Sequence, residues 1–108
     1  MKSALPTTAL KLSVLYGQPH DPTAFEAYYK GTHMPLVAAA PAPARAEASL
    51  GLPGPDGSAP PFYRLFEAWF DNSEHLAAVT SSPAWQKVAA DVPNFATGGV
   101  TILLSQRG

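Results

Sequence analysis

The chain has 108 residues, 46% of them hydrophobic, and its seven Lys and Arg against eight Asp and Glu leave a net charge of −1. It has room for one domain and lacks the basic footprint needed to neutralise a nucleic-acid backbone. There is no cysteine, which removes disulfides, thiolate zinc sites and thiol nucleophiles from consideration. A core of this size buries roughly two-thirds of the unfolded chain's surface, lean enough that a second subunit would help. No segment approaches the roughly 20 apolar residues of a membrane span, and Met1–Leu10 lacks the apolar run of a signal peptide. The expectation is one domain over residues 1–108, cytoplasmic, with no nucleic-acid or membrane partner.

Leu10–Tyr16 alternates, with Leu10, Leu12, Val14 and Tyr16 on one face and Lys11, Ser13 and Leu15 opposite, which reads as a half-buried strand. Asp21-Pro22 is a helix start, since Asp accepts a first-turn N–H and Pro has none to waste. The helix carries Phe25, Tyr29, His33 and Leu36 on one side. Pro35 disfavours helical backbone at Met34, which predicts a break or kink there.

Residues 44–50 alternate small apolar with polar side chains and form a second strand. Gly51–Pro61, rich in Gly and Pro, is a long hairpin connection, expected to be mobile at its tip. Residues 62–70 are aromatic-rich and apolar on both sides, as in a central strand. Asp71 with Glu74 reads as a capping box for a short helix, Ser82-Pro83 opens another bearing Trp85, Val88, Ala89 and Val92, and residues 99–105 form the last strand. The order β, α, β, β, α, β predicts an α+β ferredoxin-like plait: an antiparallel sheet with the first and third strands central, crossovers linking parallel neighbours, and helices on one face. An apolar second face would need covering, which a homodimer joined sheet to sheet provides, leaving room for an aromatic-lined pocket.

The stretch Phe25-Glu26-Ala27-Tyr28-Tyr29-Lys30-Gly31-Thr32-His33-Met34-Pro35-Leu36-Val37 resembles the signature of the EthD family, a phenylalanine and a tyrosine followed by His-Met-Pro-Leu. With the flanking strands the resemblance spans Leu10–Gln106. It implies a dimeric α+β barrel in which two plaits enclose a cavity. The family is named for a protein needed, beside a cytochrome P450 system, to degrade ethyl tert-butyl ether. The Pro- and Ala-rich second strand and loop depart from its pattern, so no substrate is carried over.

Among single residues, His33 is the candidate acid or base near neutral pH, set against a plain helix-end role on the last carbonyls. Tyr29 lies one turn before it, on the same side, open to core packing or ligand contact. Tyr63, Leu65, Glu67 and Trp69 share one face of the third strand. Glu67 is its only carboxylate and needs a partner, of which Arg45 is the simplest. His20 and His75 have no metal-ligand spacing, and Gly98-Gly99 precedes a strand, so neither a metal nor a nucleotide cofactor is expected. Two functions stay open. One is a small dimeric enzyme performing cofactor-free proton transfer on a hydrophobic, cyclic or aromatic metabolite, with His33 catalytic and Tyr29, Tyr63, Glu67 and Trp69 around the ligand. The other is a non-catalytic binding or accessory protein to an oxygenase. Convergence of His33, Tyr29 and Glu67 on one enclosed space separates them.

Overall fold

Strand alternation, prolines and side-chain caps combine into the following order in the computed structural model, which describes residues 5–107. The elements are β1 (Leu10–Tyr16), α1 (Pro22–Tyr28), a π-helical turn (Tyr29–His33), α2 (Met34–Ala39), β2 (Arg45–Leu50), β3 (Arg64–Phe70), α3 (Ser73–Thr80), α4 (Pro83–Asp91), a 3-10 turn (Val92–Asn94) and β4 (Val100–Gln106). Met1–Ala4, part of the stretch read above for a leader, lie outside the described residues.

The four strands lie in the order β2-β3-β1-β4, and every neighbouring pair is antiparallel. β1 and β3 are central, as their patterning predicts. The crossovers do not join parallel neighbours, however. Each skips a place: β1 and β2 run parallel with β3 between them, and β3 and β4 run parallel with β1 between them. This interleaving is the ferredoxin-like plait.

Asp21 caps α1 by accepting the Ala24 N–H at 3.2 Å, with Pro22 in the first turn. Beyond α1 the chain does not break at Met34, whose backbone stays helical (φ −62, ψ −34). Irregularity comes earlier: the Met34 N–H reaches back five residues to the Tyr29 carbonyl. Pro35 supplies no N–H and its ring would collide with the carbonyl four residues back in a regular α-helix. The widened turn accommodates it, so proline opens α2 rather than ending α1. The cap of α3 is Asn72 rather than Asp71. Asn72 has the extended backbone a cap requires and accepts the His75 N–H at 2.8 Å, whereas the Asp71 N–H donates to His75 Nδ1 at 3.0 Å. Ser82 caps α4 as expected.

Helices cover one sheet face. Phe66, Ala68 and Phe70 of β3 pack there with Val79, Trp85 and Val88, while Tyr16 packs with Phe25, Tyr29 and Phe95. Phe95 is brought in by a close backbone approach: a Cβ on Gly98 would sit 2.1 Å from the Gln18 carbonyl oxygen, so only glycine fits. The other face is less apolar than the sequence suggests. Every second residue points there, giving Lys11, Ser13, Arg45, Glu47, Glu67 and Ser105 beside Leu15, Leu65, Trp69 and Leu103. The exposed large apolar side chains instead gather on the edge strand β4 (Val100, Ile102, Leu103, Leu104) and on Leu50 and Leu52. Ile102 pairs with Val14 and Leu104 with Leu12 on the helix side, but the helices stop short of β4 and leave Ile102 62% exposed.

Candidate active site

His33 closes the π-helical turn and is only 3% exposed. Its ring lies 5.8 Å from that of Tyr29, nearly parallel, and 4.5 Å from that of Phe95. Asp91, the last residue of α4, reaches it from the second crossover, and the two side chains meet at 2.9 Å between Nδ1 and Oδ2. An ionised carboxylate only accepts, so the Nδ1 proton faces Asp91, and in the neutral form of such a ring the lone pair lies on Nε2. Two further donors hold the same carboxylate: the Tyr28 hydroxyl at 2.6 Å and the Asn94 amide at 3.0 Å, both on Oδ1. Burial pushes the Asp91 carboxyl up, but the bonds from Tyr28, His33 and Asn94 outweigh it and hold the group below the usual carboxylate range. In return, its bond to Asp91 raises the Tyr28 hydroxyl.

His33 borders a cavity of about 70 Å³ between sheet and helices, floored by Leu12, Val14 and Ile102 and roofed by Trp85, Val88 and Val92. Tyr16 lines it too. Trp85, Val88 and Asp91 follow one another at helical spacing on the inward side of α4, so the element that roofs the cavity also orients the imidazole. Among the described residues Nε2 has no protein partner, which leaves an orientated imidazole against an apolar space.

Of the residues singled out from sequence, the fold brings His33 and Tyr29 together. Glu67 and Trp69 lie on the opposite sheet face, because odd-numbered β3 positions point away from the helices. There Glu67 pairs with Lys11 at 3.2 Å rather than with Arg45. Arg45 binds Glu47 and lies 4.9 Å over the Trp69 ring. Tyr63 precedes β3 and turns to the helix side, donating to Glu26 Oε2 at 3.0 Å and meeting Phe25 edge-on at 5.1 Å. Among the described residues, neither Tyr63 nor Trp69 lines the cavity that His33 borders. Of the three groups in the convergence criterion only His33 borders the cavity; Tyr29 stacks on it from within the core, and Glu67 lies on the other sheet face.

Sequence reasoning missed Asp91, Tyr28 and Tyr16. Asp91 carried a signal, since it continues the Trp85–Val88 face with an acid where an apolar residue is expected. A second polar cluster lies at the far end of the same layer. Arg64, buried, donates to Glu26 at 2.5 and 3.1 Å and lies 4.6 Å over the Tyr29 ring. The Arg64 bond holds Glu26 below the usual carboxylate range. Among the described residues no three His, Asp or Glu side chains gather as a metal site requires, and no helix is long and apolar enough to cross a membrane.

Plait and site together define a ferredoxin-like α+β protein with a buried His–Asp pair at the edge of a small apolar cavity. The chain belongs to the EthD family: residues 17–99 match the EthD domain. It is 37% identical over 95 residues, 88% of this chain and 91% of the other, to an uncharacterized 11.0 kDa protein from the thcB-thcC intergenic region of Rhodococcus erythropolis. An EthD family protein from Bacillus halodurans superposes with a TM-score of 0.84 at 27% identity, over 93% of this chain and 99% of that one. More distant structures share the fold alone. The hydroxynitrile lyase of Passiflora edulis superposes at TM-score 0.70 and 16% identity over 95% and 96% of the two chains. SnoaB, a cofactor-independent oxygenase of Streptomyces nogalater, does so at 0.62 and 13% over 92% of each.

Proposed function

We propose that the protein is a cofactor-independent catalyst of proton transfer on a hydrophobic or aromatic metabolite, with His33 as the base and Asp91 as the group that positions it. The observation that carries this reading is the division of labour on one imidazole: Nδ1 is fixed by a carboxylate, and Nε2 is left without a protein partner beside an apolar cavity. An acid–base group needs that orientation and that access to its substrate. Tyr29 stacks on the ring from the core side and holds its plane. One distant fold relative is a cofactor-independent oxygenase, which supports the idea that this architecture can serve chemistry without a bound cofactor.

The reading includes a homodimer. Exposed apolar side chains on β4 and at the end of β2 motivate it, since each Å² they bury contributes about 25 cal/mol. Glu67 and Trp69 then belong to the sheet face available to the second protomer. Sedimentation equilibrium at micromolar concentration is expected to give twice the chain mass.

Chemistry is tested by incubating a hydrophobic-metabolite extract in D₂O with wild-type protein and with His33→Asn, whose amide can replace the Nδ1 donor but cannot accept a proton. Wild type is expected to place deuterium in, or consume, at least one compound that the variant leaves untouched, as read by mass spectrometry. A compound retained by both proteins and altered by neither would overturn catalysis and put the accessory binding role in its place.

A further inference from the structure

Among the described residues three side chains with polar atoms border the cavity: His33, Tyr16 and, through its indole N–H, Trp85, and of these only the Tyr16 hydroxyl sits on the sheet. Tyr16 ends β1 and is 1% exposed, with its ring held by Phe25, Tyr29 and Phe95 at 5.4 to 5.9 Å. Among the described residues its hydroxyl has no protein hydrogen-bond partner. It differs in one respect from the Tyr29 hydroxyl, which is sealed in the core with no partner: the Tyr16 side chain faces the cavity. The Tyr16 hydroxyl is not among the sealed, unpartnered polar atoms, so it keeps access to the adjoining space and can donate to whatever occupies it.

We infer that Tyr16 is a catalytic residue that donates a hydrogen bond to the carbonyl oxygen of the substrate, and that the substrates are enolisable ketones or aldehydes. This rests on His33 being the base. No cation lines the cavity, and the guanidinium of Arg64 is already held by Glu26, so an ionised carboxylate would enter uncompensated. A neutral carbonyl needs one donor, which Tyr16 provides. Burial raises the hydroxyl above the ordinary phenol range, so it keeps its proton at neutral pH and acts as a donor. In the step so defined, the α C–H bond breaks and its proton goes to His33 Nε2. The electron pair moves through the C–C bond onto the carbonyl oxygen, where the Tyr16 O–H meets the developing charge. Return of the proton to the same or a conjugated carbon completes exchange or isomerisation without any redox change.

The test uses butan-2-one carrying ¹³C at the carbonyl, followed by NMR in D₂O. Wild type is expected to accelerate exchange of the α protons over buffer and to shift the carbonyl resonance downfield on binding. Tyr16→Phe is expected to slow exchange about a hundredfold and to lose the shift, while His33→Asn abolishes exchange and keeps the shift. Exchange by Tyr16→Phe at the wild-type rate overturns the role of Tyr16 and leaves the His33 reading standing. A Tyr16-dependent shift without exchange in wild type overturns the base and leaves the carbonyl contact standing. Neither exchange nor shift with the wild-type protein, a measurement independent of any variant, overturns the carbonyl class itself.

Discussion

Two polar clusters lie under the same helical layer, each a carboxylate held by a base and at least one tyrosine. In the Glu26 cluster, Arg64 occupies both carboxylate oxygens, Tyr63 adds a bond, and Lys30 approaches to 3.6 Å. All of its strong donors turn inward, and it ties α1 to the start of β3. In the Asp91 cluster, Tyr28, Asn94 and His33 satisfy the acid as fully, yet the histidine keeps one nitrogen in reserve beside the cavity. The difference lies in the base. A guanidinium gives its proton to nothing at physiological pH, whereas an imidazole fixed at one nitrogen remains available at the other. Similar wiring thus yields a structural tie at one end and a candidate acid–base device at the other.

The contrast is broken most severely at the structural end. Glu26→Ala leaves the Arg64 guanidinium buried without its carboxylate and is expected to destabilise the fold by about 3 kcal/mol, below the cost of a fully buried pair because water partly screens Glu26. Urea denaturation measures this, and a loss within experimental error of zero would show that Arg64 finds another partner.

Asp91→Asn probes the other cluster through pH. The native carboxyl lies below its unfolded value of about 3.9, so its contribution is complete above that value and fades as pH falls through the native one. At neutral pH the variant is expected to be about 1 to 2 kcal/mol less stable than wild type, and the gap should close on acidification through pH 4. Taking the difference between the two proteins cancels the parallel acid loss from Glu26. A gap constant from pH 7 to pH 3 would mean that the charge of Asp91 contributes nothing to the fold.

The smallest effect comes from Tyr29, which touches both clusters, with its ring beside His33 and beneath Arg64. Its hydroxyl is buried and unpaired, so Tyr29→Phe removes a desolvated group and should stabilise by about 1 kcal/mol, raising the melting temperature. A lower melting temperature would reveal a partner for that oxygen.

Strands and core faces were legible because alternation is local: Leu10–Tyr16 and residues 62–70 announce their own periodicity, and the order of elements limits the topology. Pairing of His33 was not legible in the same way. Tyr29 shares a helix with His33 and was found, but Asp91 is 58 residues away and meets it only because the second crossover lays the end of α4 against the π-helical turn. Glu67 was drawn to His33 by its isolation among aromatics. The two-residue period that identified its strand also sends it to the opposite face, where Lys11 waits on the neighbouring strand. Asn72 displaced Asp71 as a cap for a similar reason: several residues could accept the bond, and backbone conformation chose among them.

The five-residue turn from Tyr29 to His33 also fixes how the two halves of this helix are turned against each other. A widened turn is equivalent to one residue inserted into a regular helix, and each residue of an α-helix turns the chain by about 100°. Removing one residue between Tyr29 and His33, at exposed Gly31 for example, would restore the regular spiral and swing everything before it by that angle relative to everything after. Phe25 and Tyr29 could then keep their places in the core only by surrendering the direction of the imidazole. The reading frame of this helix, counted in turns, is therefore what keeps an aromatic core and the His33 imidazole on the same side.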